Sequence, residues 1–342
     1  MTEKETLYGK NPEELAALCA ELGLPRFAAR QIARWLYVRG TEDPMRMTDL
    51  AATARERLAA RFAPALSAPE RVSVSADGTK KYLFRTRHGH YVESAYIPDG
   101  ERATLCVSSQ AGCRMGCRFC ATGRQGLQES LPAAEILNQI VSLPERDRLT
   151  NLVFMGMGEP LDNPDQLLRT LSVITSEWGF GWSPTRVTVS TAGVVPQLRR
   201  FLDATKVHLA VSLHNPFREE RMEIMPVERA WPIAEVAAIL RGYDFTHQRR
   251  VSFEYIVLEG LNDSPRHIRG LSRLLDGIKC RINLIRFHRI PGSPYFSPDD
   301  EAMRRFRDAL TARGIQTTIR ASRGEDIQAA CGLLSTEALG GR

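Results

Sequence analysis

Apolar and polar positions along the chain fall into three regimes. From Asn11 to Leu24 apolar residues recur at helical spacing behind an asparagine cap position, and the run stops at Gly23 and Pro25. A second amphipathic stretch covers 25–38, and a third, rich in alanine and arginine, runs from 49 to about 62. Between 70 and 97 the period drops to two, with Asp77-Gly78 and His88-Gly89 at the turns, which predicts a short antiparallel meander. From about residue 103 strand and helix patterns alternate. Strands are predicted over 104–108, 151–155, 186–190, 207–213, 250–257, 281–287 and 316–320. Helices are predicted over 132–143, 164–177, 231–243, 264–276 and 298–313. Such β–α repeats imply an α/β fold, a parallel sheet with helices outside it. The chain therefore divides into a small helical module (1–66), a β meander and linker (67–100) and a barrel core (101–342).

In an α/β barrel the chemistry sits at the C-terminal ends of the strands. Cys113, Cys117 and Cys120 follow the first strand, and Gly158-Glu159-Pro160 follow the second. Ser190-Thr191 end the third strand, and Ser212-Leu213-His214 end the fourth. All four groups are thus predicted at one mouth of one barrel.

The three cysteines form a C-x3-C-x2-C run with no fourth cysteine nearby. A structural zinc site takes four protein ligands in a closed tetrahedron, and a [4Fe–4S] cluster is normally held by four thiolates. Three thiolates leave one iron open to a small molecule. The alternatives on spacing alone are a zinc knuckle, a disulfide pair, or cysteines buried as small apolar groups.

Composition narrows the class. The 342 residues are 43% hydrophobic and 25% charged, ordinary for a soluble globular protein. No apolar run approaches the ~18 residues that span a bilayer, and MTEKETLYGK lacks the apolar stretch of a secretory signal. Three cysteines packed into eight positions do not suit a secreted disulfide scaffold, so a reducing cytoplasmic setting is expected. The net charge of +6 suits a polyanionic partner. Residues 281–323 alone hold nine arginines against four acids, and Arg26, Arg30 and Arg34 recur every four residues along one predicted helix.

The strings TLCVSSQAGCRMGCRFCATG, FMGMGEPLDN, VTVSTAG, AVSLHNPFREERMEIMP, INLIRFHRIPGSPY and TIRASRGEDIQAACG resemble the RlmN/Cfr family of radical S-adenosylmethionine (SAM) RNA methyltransferases. The resemblance spans essentially the whole chain, and RGEDI and PGSPY lean toward the RlmN side. It implies a partial (β/α)6-type radical SAM barrel and a helical module that binds RNA. It further implies a [4Fe–4S] cluster on Cys113, Cys117 and Cys120, and two SAM molecules per turnover. The implied reaction methylates carbon 2 of an adenosine in 23S rRNA and of the adenosine beside the anticodon in tRNA. Its electrons would come from a low-potential donor of flavodoxin or ferredoxin type, and a monomer is expected.

Adenine carbon 2 is an electron-poor aromatic C–H that cannot readily attack the SAM methyl group, whereas a radical can add there. In the route implied by the resemblance, Cys331 first takes a methyl group from one SAM. Cleavage of a second SAM gives a radical that removes hydrogen from that methyl, and the carbon radical adds to adenine. Glu93 then accepts the ring proton, and Cys106 attacks the Cys331 sulfur, leaving a disulfide. Gly158, Glu159, Ser190, Ser212, Leu213, His214 and His288 match SAM-contacting positions, with His288 standing where members often carry asparagine. On residue type alone Cys106 reads as a core cysteine, Glu93 as a solvated glutamate, and Ser212 and His214 as strand-end polar groups. Cys19 and Cys280 match no motif and are read as structural. Methylation at carbon 8, as in Cfr, and a non-catalytic RNA-binding protein with a structural metal site are the alternatives.

Overall fold

Residues 102–319 wind into seven parallel strands joined by helical crossovers, in a computed structural model that describes residues 5–246, 251–334 and 336. Arg250, the expected first residue of one strand, lies outside the described residues. The sheet begins with the meander strands β1 (Arg71–Val74), β2 (Lys80–Arg85) and β3 (Tyr91–Asp99). It continues through β4 (Arg102–Cys106), β5 (Asn151–Phe154), β6 (Val187–Thr191), β7 (His208–Ser212), β8 (Val251–Val257), β9 (Cys280–Arg286) and β10 (Gln316–Ile319). Spatial order equals chain order across all ten strands, antiparallel from β1 to β4 and parallel from β4 to β10.

The meander is therefore not a linker. It extends the barrel sheet by one wall, because β3 pairs with β4 in a register that sets Ala95 against Cys106. The helices expected from the pattern form with ends trimmed by one or two residues, among them Ala133–Val141, Pro164–Thr175 and Asp300–Thr311. Two more, Val195–Ala204 and Arg218–Ile224, complete the crossovers around β7.

In the N-terminal module, α1 (Pro12–Glu21) starts on a reciprocal cap in which Asn11 and Glu14 each accept the other's backbone N–H. The second stretch does not run as one regular helix. After α2 (Ala28–Ala33) the turn widens over Arg34–Val38, where the Arg39 N–H reaches back five residues to the Arg34 carbonyl. The wider turn lets the adjacent Leu36 and Tyr37 both point inward. Tyr37 packs edge-on against Trp178 at 5.6 Å, its hydroxyl donating to the Lys10 carbonyl and accepting from the Gly9 N–H. Arg169 pairs with Glu14 across the same seam at 2.5 Å. The module and the barrel thus share one contiguous apolar core. Arg26, Arg30 and Arg34 remain exposed on the outer face, beside Phe27 and Val38.

Candidate active site

The loop after β4 carries the three clustered cysteines, and its shape is fixed by backbone bonds to other elements. The Cys113 N–H donates to the Gly126 carbonyl, Arg118 to Ile224, and Ala121 to Gly332. Gly123 admits no side chain, since a Cβ there would stand 2.9 Å from the backbone of Cys117. Cys113, Cys117 and Cys120 all face one cleft at the barrel mouth. Burial pushes each thiol above its ordinary range, Cys113 up to about 12. Thiols this desolvated ionise when bound metal compensates their charge, so the donor set fits a metal group that takes thiolates. Among the described residues no three His, Cys, Asp or Glu side chains converge on a point as ligands of one ion. In a [4Fe–4S] cluster each thiolate instead takes its own iron.

The same cleft is lined by Gly158, Glu159, Ser190, Ser212 and His214. Gly158 sits at φ +98°, and a Cβ would stand 2.6 Å from that of Gln110, so only glycine fits. Glu159 is buried, and its oxygens accept the N–H groups of Leu161 at 3.0 Å and Ala192 at 2.7 Å. Burial still pushes its carboxyl up to about 7. His214 adopts a left-handed φ of +57° and is buried. Its Nδ1 accepts the Ile256 N–H at 2.9 Å, which leaves Nε2 carrying the proton. Burial, helped by Arg221, drives the His214 pKa down to about 3, so the ring stays a neutral donor. A carboxylate acceptor, a neutral imidazole donor and two strand-end hydroxyls together suit an amino acid head joined to a nucleoside, as in SAM.

Two residues expected here lie elsewhere. Leu213 is fully buried and does not line the cleft; its carbonyl accepts from Arg221. His288 lines an adjoining cleft, near Ser322 at 3.1 Å and Glu325 at 3.4 Å. That second cleft also holds Cys106 and Cys331. Cys331 lines both clefts and is exposed, whereas Cys106 is buried beside Ala95, Val153 and Ala329. Both are free thiols, with no disulfide between them. Burial pushes the Cys106 thiol up to about 12, with Cys331 adding to the rise.

Glu93 lines neither cleft. It shares a face of β3 with Ala95 and Ile97, the face turned toward Cys106. It is buried, not solvated, and pairs with the Lys81 ammonium at 2.9 Å. Lys81 also donates to the Gln328 carbonyl, in the segment leading to Cys331, at 3.5 Å.

Sequence reasoning missed the charged supports. Arg221 is fully buried, pairs with Glu228, and donates to the carbonyls of Ala192, Ser212 and Leu213, tying the ends of β6 and β7 together. Glu254 is buried on β8, where it accepts from Asn283 at 2.8 Å and Arg320 at 3.3 Å. A fully apolar expectation for a parallel strand hides Glu254; the signal available was a lone acid inside VSFEYIV.

A barrel whose first strand feeds a three-thiol loop, with a Gly-Glu turn after the second strand, defines a radical SAM enzyme. The radical SAM superfamily model matches residues 107–270, and the model for the N-terminal domain of ribosomal RNA large subunit methyltransferases matches 6–63. A dual-specificity RNA methyltransferase RlmN from Syntrophus aciditrophicus is 41% identical over 96% of this chain and 95% of its own. A second relative with the RlmN designation, from Parabacteroides distasonis, is 54% identical over 98% of both chains. The crystal structure of a radical SAM methyltransferase from Sphaerobacter thermophilus superposes with a TM-score of 0.89 at 42% identity, covering 96% of this chain and 99% of that one. The chain belongs to the RlmN family.

Gly158→Ala is expected to strain the backbone by about 1–3 kcal/mol and to push Gln110 into the cleft. Calorimetry should show weakened SAM binding together with a lower Tm, and unchanged values for both would contradict this reading of the turn.

Proposed function

We propose that the protein methylates carbon 2 of an adenosine in 23S rRNA and of the adenosine beside the anticodon in tRNA, using two SAM molecules per turnover. The observation that carries this reading is the position of Cys331, an exposed thiol outside the three-cysteine run that lines both the SAM cleft, beside Cys120, and the cleft that holds Cys106. Cys113, Cys117 and Cys120 would hold a [4Fe–4S] cluster, which would supply the electron for reductive cleavage of SAM. Glu159 accepts from the SAM amino group, and Ser190, Ser212 and neutral His214 orient its polar groups. The exposed Cys331 takes the methyl group and carries it to adenine. Glu93, kept compensated by Lys81, receives the ring proton. Cys106, buried against the Cys331 segment, attacks the Cys331 sulfur and frees the product. His288 acts on the Cys106 side of the wall, not on SAM.

Residues 1–66 serve as the RNA-binding module, the protein works as a cytoplasmic monomer, and a flavodoxin- or ferredoxin-type donor reduces it. Among the described residues no helix is long and apolar enough to cross a membrane. Mass spectrometry of digested RNA after reaction tests the assignment: 2-methyladenosine is expected, and 8-methyladenosine would overturn it.

Because phosphate contacts release counterions, RNA affinity is expected to fall steeply with salt. Reversing the exposed Arg26, Arg30 and Arg34 together should weaken rRNA binding and flatten its salt slope, while SAM binding stays intact. Unchanged affinity with an unchanged slope would reduce the module to a structural cap.

A further inference from the structure

The proposed route leaves one difficulty at Cys106. A thiol sealed among Ala95, Val153 and Ala329 is a poor nucleophile, because it is the thiolate that attacks sulfur. The cleft that Cys106 lines also carries Cys120, Arg286, His288, Arg320, Arg323 and Cys331. Of these, Cys331, from the C-terminal segment, and Arg320, which follows β10, act on its charge. From β3 and β5 it meets apolar side chains, and the Met155 backbone hydrogen-bonds to it. Arg320 lines both clefts, as Cys331 does. Its Nη1 reaches the Met155 sulfur and Glu254 Oε2, each at 3.3 Å, and its backbone N–H donates to the Leu284 carbonyl at 2.9 Å. A guanidinium so anchored brings a permanent positive charge to the wall between the thiols.

We propose that Arg320 is a positioning residue for the resolving step, its guanidinium stabilising the Cys106 thiolate that attacks the Cys331 sulfur. This rests on the methyl-carrier reading of Cys331 given above. The thiolate's electron pair forms the Cys106–Cys331 disulfide. The Cys331 sulfur–methylene bond breaks, and its pair leaves with the methylene carbon, which takes a proton and becomes the methyl group. The step starts from the closed-shell thioether adduct, reached when the ring proton has gone to base and the unpaired electron of the radical adduct has returned to the iron–sulfur group that Cys113, Cys117 and Cys120 would hold. From there the two cysteine sulfurs are oxidised and the adduct carbon is reduced, so the resolving step itself needs no further redox partner. The electrostatics agree: Arg320 lowers the barrier to ionising Cys106 that burial raises, and the nearby thiols hold Arg320 firmly charged.

The test follows the covalent protein–RNA species by denaturing electrophoresis in a single turnover of the cluster-loaded enzyme, from neutral to mildly alkaline pH. Arg320→Gln keeps a donor for Glu254 and removes the charge. It is expected to form the adduct but resolve it several-fold more slowly at neutral pH, since one unit in thiol pKa cuts the thiolate about ten-fold and the more basic thiolate's higher nucleophilicity offsets part of that. Its rate should rise with pH in parallel with wild type, since in both enzymes the Cys106 thiol ionises above this range, so a modest rise in pH replaces the thiolate lost with the guanidinium. Arg320→Lys restores a cation and should resolve near the wild-type rate. Cys106→Ala should hold its adduct at every pH. Wild-type resolution by Arg320→Gln, pH-independent stalling, failure of that variant to form any adduct, or no rescue by lysine would each overturn the proposal. Absence of adduct from Cys106→Ala as well would instead overturn the methyl-carrier reading beneath it.

Discussion

Replacing Cys113, Cys117 or Cys120 by alanine is expected to abolish SAM cleavage and leave the fold intact. Each thiol is one of only three cysteine ligands the loop offers, so losing one leaves two for a four-iron cluster. The loop itself does not depend on the metal for its path. Its bonds from Cys113 to Gly126, Arg118 to Ile224 and Ala121 to Gly332 are all backbone bonds. Each variant should therefore keep wild-type circular dichroism while losing bound iron and sulfide, the broad visible absorbance that dithionite bleaches, and all methylation of RNA. Wild-type iron and sulfide content in any one variant would remove that cysteine from the ligand set.

The second large effect separates two thiols by their place in time. Cys331→Ala should reduce methyl transfer to background and form no adduct, because the carrier atom is gone. Cys106→Ala should still add to RNA and then stall, giving a stable protein–RNA species on a denaturing gel. The structure supports this order: Cys331 is exposed where both clefts open, while Cys106 lies buried behind it. Full turnover by Cys106→Ala would return Cys106 to the role of a core cysteine.

The barrel was legible because each β–α repeat carries its own local pattern, and β5, β6, β8 and β9 fall within one residue of expectation over the described residues. The motifs at their ends were legible for the same reason: strand direction alone sends Gly158, Ser190, Ser212 and His214 to one mouth. What local pattern cannot carry is register between distant segments. The pairing of Ala95 with Cys106 makes the meander part of the sheet, and nothing in 67–100 announces that partner. The widened turn at Arg34–Val38 answers to Trp178 and Phe180, far along the chain. His288 was assigned to SAM by its place in a motif, yet the chain after β9 turns it toward Ser322. The buried Arg221 and the half-buried Arg320 read as ordinary surface residues until their partners Glu228 and Glu254 are known.

The central claim is that the transferred carbon reaches RNA as a methylene carried by Cys331. Supplying SAM with a fully deuterated methyl group and weighing the methyladenosine released from RNA tests it most directly. The account predicts that the new methyl group keeps two of the three deuteriums and takes its remaining hydrogen from elsewhere. A methyl group that arrives with all three would contradict it.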